Sequence, residues 1–150
     1  PAGLNKRVLS FDPGETTGVA DICGNQLMMF GQIPTKVVDI SALNQINAVL
    51  DKYMKFGYPN LEVVIEDYKV YAWKEKEHSW AALHTPKFIG MIVGACVLRG
   101  IEPVMRMAHE PKQFFTDEKL KKLGWYQPGY RHSRDAIRHS AYQLLFKAPA

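Results

Sequence analysis

The chain is poor in cysteine: two in 150 residues. Both, Cys23 and Cys96, sit in apolar runs. This argues against a disulfide framework and a cysteine-rich metal knuckle, and predicts buried free thiols suited to a reducing cytosol. No apolar run reaches the length of a membrane span. The first residues, PAGLNKRV, lack the apolar stretch of a secretory leader, and Pro1 to Gly3 read as a processing remnant. Internal repeats, low-complexity tracts and linker-like segments are missing too. One domain over residues 1–150 is therefore expected.

What is present is an ordinary globular composition, 47% apolar and 23% charged. The net charge of +4 hides a division. Residues 1–68 hold 5 Lys/Arg against 8 Asp/Glu, a net −3, and residues 69–150 hold 14 against 7, a net +7. An acid-bearing half joined to a cationic half suits a polyanion held over a cation site. On charge alone, an unevenly charged solvated surface explains the division equally well.

Hydrophobic patterning predicts strands at 6–12, 16–22 and 26–33, joined by the turn spacers PGE and CGN, hence an antiparallel meander. Apolar positions 43, 46, 49, 50, 53 and 54 form a helical stripe within 37–56, stopped by Gly57 and Pro59. LEVVIED (61–67) reads as a central strand and SWAALHTPKFIGMIVGACVLRG (79–100) as a long apolar helix that Pro86 starts or kinks. A strand at 101–107, one or two short helices within 110–125, and a helix at 131–146 complete the chain. A meander followed by helix–strand alternation implies a mixed α/β sheet with helices on both faces.

Asp12 stands where the first apolar strand should continue, before Pro13 and Gly14. A lone buried acid is costly unless a cation meets it, so Asp12 either caps a turn or helps to hold a metal. Glu66 ends the fourth strand, and strands one and four can be neighbours in a sheet of this order. Asp67 competes with it, because adjacent strand residues point to opposite faces. On the last helix His132 and Asp135, three apart, share a face, and His139 lies four beyond Asp135. Read alone, that polar face is solvated. Beside two strand acids it becomes an oxygen-and-imidazole metal shell.

SFDPGETTGVA, VVIEDY and HSRDAIRHSAYQL together resemble the three active-site motifs of RuvC-type Holliday junction resolvases, within the RNase H-like nuclease superfamily. The order matches over nearly the whole chain: Asp-Pro-Gly on the first strand, Glu on the fourth, His-x-x-Asp on the last helix. The resemblance implies an RNase H-like fold and a metal-dependent endonuclease acting on branched DNA. It selects Glu66 over Asp67 and makes Asp12, Glu66, His132 and Asp135 the metal ligands. It implies two Mg²⁺ ions, with Mn²⁺ as the alternative, and a homodimer working in bacterial or phage-infected cytoplasm. Lys112 and Lys119 resemble the family's lysines near the scissile phosphate, and Lys121 and Lys122 extend that patch. Arg131, Arg134 and Arg138 are candidates to track a second backbone. His139 is read as either a support for the ligands or a packed side chain.

The chain also departs from the bacterial pattern. The turn after Asp12 is one residue shorter, and the segment before the last helix is trimmed, as in compact phage enzymes. Where the bacterial resolvases carry a phenylalanine just past the strand-four acid, this chain has Lys69, flanked by Tyr68, Tyr71 and Trp73. These aromatics, interleaved with charge, are candidates for stacking on unpaired bases, while Trp80 is better read as core. Ala81, Ala82, Gly90, Gly94 and Ala95 would allow a second helix to approach the long apolar one. Three rival readings share parts of this evidence: a nuclease for RNA–DNA hybrids or flaps, a non-catalytic branched-DNA binder, and a nucleotide-phosphate module. The last lacks a GxxxxGK(S/T) loop and a second domain to close on a nucleotide.

Overall fold

The computed structural model describes residues 6–58, 60–68 and 80–146, with backbone alone at 80–83. Three strands come first: β1 (Arg7–Asp12), β2 (Thr16–Cys23) and β3 (Gln26–Pro34). They pair antiparallel in sequence order, the meander that the short spacers predict. Gly24 turns the β2–β3 corner at φ 62°, a conformation costly for any residue with a Cβ.

The first helix, α1 (Ile40–Phe56), starts three residues inside the predicted span. Asp39 sets the start by accepting from the Ala42 N–H at 3.0 Å, and Gly57 at φ 60° closes the end. β4 (Leu61–Glu66) lies parallel to β1, and α2 (Trp80–Val97) runs through Pro86 without ending there. β5 (Val104–Arg106) is only three residues of the predicted seven, because 101–103 are spent in leaving α2. Then follow α3 (His109–Phe114), α4 (Asp117–Leu123) and α5 (Arg131–Phe146). Among the described residues, no helix is long and apolar enough to cross a membrane.

The sheet order is β3-β2-β1-β4-β5, so β1 and β4 are central neighbours. Alternation along these strands sends side chains to two different cores. Leu9, Phe11, Val63 and Ile65 join Ile46 and Leu50 of α1 and Phe88 and Ile92 of α2. Each such fully buried side chain contributes roughly 1.5–3 kcal/mol. On the other face Ala20 and Ile22 meet Leu120 of α4 and Ala136, Ile137 and Ala141 of α5. Both cysteines are free, with Cys96 buried and Cys23 half-buried.

Where α5 crosses β1 and β4 the second face turns polar. The Ser140 hydroxyl lies 2.7 Å from Ser10 Oγ, and the Gln143 amide donates to Glu62 Oε2 at 2.7 Å. The polar face of the last helix is therefore buried against a polar strip of sheet, not solvated. That strip leads to Asp12.

Candidate active site

Val8, Ser10 and Asp12 alternate onto the α5 side of β1. The parallel register pairs Phe11 with Ile65, so one residue further on Asp12 stands beside Glu66. Glu66 turns to the same side, its Oε1 3.0 Å from His139 Nε2 on α5. Asp67 is occupied elsewhere: its carboxylate accepts from the Tyr68 N–H at 2.8 Å. Pleat and register thus bring Glu66, and not its neighbour, to Asp12.

The first turns of α5 supply the remaining groups. His132 Nδ1 is 3.8 Å from Asp12 Oδ2. Lys112 on α3 places its ammonium 3.5 Å from Asp135 Oδ2 and 3.9 Å from Glu66 Oε1. Arg138 donates to the other oxygen of Asp135 at 2.8 Å. Asp12 and Asp135 are only 6% and 7% exposed.

Such crowding decides where protons sit. Burial pushes the Asp12 carboxyl well above the usual carboxylate range, and a hydrogen bond shared with Glu66 and the negative charges of Glu66 and Asp135 push it further. Burial acts the same way on Glu66, but hydrogen bonds from His139 and Asp12, together with the His139 and Lys112 charges, hold it down at about 2. Asp12 therefore keeps a proton to higher pH than Glu66 does. At His132, burial and the Arg131 charge lower the pKa against the pull of Asp135 and Glu66, which favours a neutral ring with a lone pair to donate.

The acids come together without forming a closed shell. Among the described residues, no group of three or more His, Cys, Asp or Glu side chains is arranged to hold an ion. The positive charge between Glu66 and Asp135 is the Lys112 ammonium.

Local sequence explains the approach of α5. A Cβ on Gly18, which pairs with Asp12 across β1–β2, would lie 1.9 Å from the His132 carbonyl oxygen and 2.9 Å from Ser133 N. Only glycine lets the helix start sit there. The His132 N–H then donates to Gln32 Oε1 at 3.2 Å, and the Ser133 hydroxyl to the Gly31 carbonyl at 2.5 Å. The turn after Asp12 is pinned by Thr35, which donates to the Gly14 carbonyl at 2.6 Å and meets Thr17 at 2.7 Å.

The other candidates spread outward. Lys119, Lys121, Lys122 and Arg131 are exposed. The Lys119 ammonium lies 3.8 Å from the Phe114 ring centre, and Lys121 and Arg134 lie 4.7 and 4.8 Å from that of Tyr126. Arg134 is half-buried and also donates to the Gln127 carbonyl at 2.8 Å. Tyr68 packs partly buried against the α1–α2 core, a position that limits it as a free stacking platform. Lys69, Tyr71 and Trp73 lie outside the described residues, as do the side chains of Trp80, Ala81 and Ala82.

One expectation is corrected. Arg138 is not a backbone-tracking surface residue: it is 9% exposed and donates to Asp135, Asp117 and the Phe115 carbonyl. Its i, i+3 spacing from Asp135 was visible in sequence, but its burial was not. His139 is packed at 1% exposure, with its Nε2 3.0 Å from Glu66 Oε1.

Comparison with known proteins agrees on architecture. No family model matches the chain, and no curated protein matches it by sequence. Among solved structures, Thermus thermophilus RuvC in complex with a Holliday junction substrate superposes with a TM-score of 0.64 at 18% identity. The match covers 92% of this chain and 94% of that one. The fold is RNase H-like, with the mixed sheet and flanking helices of that protein.

Proposed function

We propose that this protein is a metal-dependent endonuclease that hydrolyses DNA phosphodiester bonds at four-way or related branched junctions. One observation carries the reading: Asp12, Glu66 and Asp135, distant in sequence, gather in one cluster with Lys112 and His132 beside them. The likeness to a resolvase solved on a Holliday junction supports the choice of substrate.

The donor set fits a divalent ion. Three carboxyl groups and a neutral imidazole suit Mg²⁺ or Mn²⁺. Burial first, and then the neighbouring acids, raise the Asp12 carboxyl, and Lys112 only partly offsets this. Asp12, Glu66, His132 and Asp135 would hold the metal, two ions per site in our reading. Bound there, it would activate the attacking water and offset charge on the phosphate.

The chain's own residues do the rest. Lys112, exposed on one side and within 4 Å of two site acids, is placed to donate to a phosphate oxygen at the pocket mouth. Lys119, Lys121, Lys122, Arg131 and Arg134 line the approach and neutralise flanking phosphates, which positions the backbone without reading sequence. Resolving a junction symmetrically requires two sites, so a homodimer is part of the reading. The outer face of α2 supports it: Gly90 and Gly94 have open space above them, and Leu98, just past the end of the helix, is 87% exposed.

The test compares four-way junctions, flaps and RNA–DNA hybrids as substrates in Mg²⁺. Junctions should be cut best, and Asp12→Asn should abolish cleavage (at least about 1,000-fold,) while junction binding survives. Hybrid cutting at equal or higher rate would overturn the junction assignment. Undiminished cleavage by Asp12→Asn would overturn the site.

A further inference from the structure

We propose that His139 is a positioning residue for Glu66, fixing the plane of its carboxylate and so the direction in which the remaining lone pairs face the cation site. The proposal rests on the metal-dependent reading above and concerns a residue given no part in it.

His139 lies one helical turn beyond Asp135, on the same face of α5. It is 1% exposed, and its Nε2 is 3.0 Å from Glu66 Oε1. Its other nitrogen, Nδ1, is buried and has no hydrogen-bond partner among the described residues. For the neutral ring these facts select one tautomer, and a charged ring donates from Nε2 as well. A proton on Nδ1 would leave a buried N–H unmet and would aim the Nε2 lone pair at a carboxylate oxygen. With the proton on Nε2, the ring donates to Glu66 and only a lone pair goes unpartnered, the cheaper deficit.

A purely packed side chain at this place would be better served by leucine, which brings no polar atom to bury. Among the described residues, the hydrogen bond that repays burying this ring is the one to Glu66. Besides the hydrogen bond it shares with Asp12, itself a site acid, Glu66 has few other restraints: it ends β4, and the chain turns away at Asp67. Lys112, at 3.9 Å, is too far to hold it. Carboxylate orientation matters to a metal because the ion is bound along lone-pair directions, and groups that orient ligands commonly change affinity by ~10- to 100-fold when removed.

The test uses two amides of different reach. His139→Gln puts an N–H near the Nε2 position; His139→Asn puts one near Nδ1. Mn²⁺ binding to the intact protein is followed by loss of the free-ion electron paramagnetic resonance signal, with thermal melting as the fold control. His139→Gln should stay within about threefold of the parent, whereas His139→Asn should bind Mn²⁺ ~10- to 100-fold more weakly. Equal binding by all three, or equal loss in both variants, overturns the proposal. Nitrogen-15 spectra of the parent protein give a check without mutation: the His139 ring must carry a proton on Nε2, and a ring protonated at Nδ1 alone overturns the proposal even if a variant fails to fold. Asp12→Asn separates the two levels. If it leaves Mn²⁺ binding untouched, the metal site itself is wrong and the proposal falls with it; if it abolishes binding while His139→Asn does not weaken it, only the His139 role fails.

Discussion

Asp12 occupies a position where an apolar side chain would stabilise the fold. Buried beside two other acids, it keeps its proton to a higher pH in the folded state than in the unfolded chain. An acid with a raised folded pKa supports stability while protonated, and that support declines as pH rises through the folded value. Asparagine cannot ionise. Asp12→Asn should therefore raise the Tm of the metal-free protein at neutral pH, and the gain should shrink as pH falls toward the ordinary carboxylate range. Calorimetry across about pH 4 to 8 checks this; an unchanged or lower Tm at neutral pH would show that the pocket does not strain the acid. At this scale the sequence was partly legible. The misfit of Asp12 in an apolar strand was visible from residue type alone. Choosing between Glu66 and Asp67 was not, because the pleat assigns them opposite faces and only the β1–β4 register says which face matters. Arg138 was misread for a related reason: spacing shows neighbours on a helix, but not whether that helix face lies against solvent or against the α3–α4 turn.

The elements were legible where periodicity was long and punctuated. The meander, α1 and α5 follow from alternation, helical stripes and glycine stops. β5 was overestimated because residues 101–103, apolar enough for a strand, are used to leave α2. The contact that aims the site was not legible. A glycine within a strand hints at close backbone approach, but nothing in TTGVA says that the start of α5 is what approaches. The geometry makes a sharp expectation. Gly18→Ala sets a methyl against the His132 carbonyl, so α5 must shift or β2 must bend. We expect a loss of about 1–3 kcal/mol, the usual range for overpacking a buried contact, together with a fall in cleavage larger than that loss of folded protein explains. Denaturant melts and cleavage rates on the same samples decide. Alanine at parental stability and activity would mean that the helix start is not seated on β2.

At the scale of the whole molecule, element order allowed β1 beside β4 and so a meeting of strand acids, and the sheet order makes them neighbours. The +7 half of the chain was legible as charge, but its division into Lys112 at the pocket and exposed lysines beyond required the fold. Self-association belongs to this scale as well. Gly94→Leu fills open space on the outside of α2, so the monomer should fold normally while the dimerisation proposed above weakens by at least about tenfold, since a leucine would hold two helices apart. Sedimentation equilibrium measures it: a monomeric parent protein would overturn the proposed dimer, and an unchanged dimer would place the interface elsewhere. The central claim is that three carboxylates gather to hold metal. Its most direct measurement is the anomalous scattering of a crystal soaked in Mn²⁺. The account predicts a peak among the carboxylates of Asp12, Glu66 and Asp135, with the Lys112 ammonium displaced from between Glu66 and Asp135. A fully soaked crystal with no peak there, and Lys112 still in place, would contradict it.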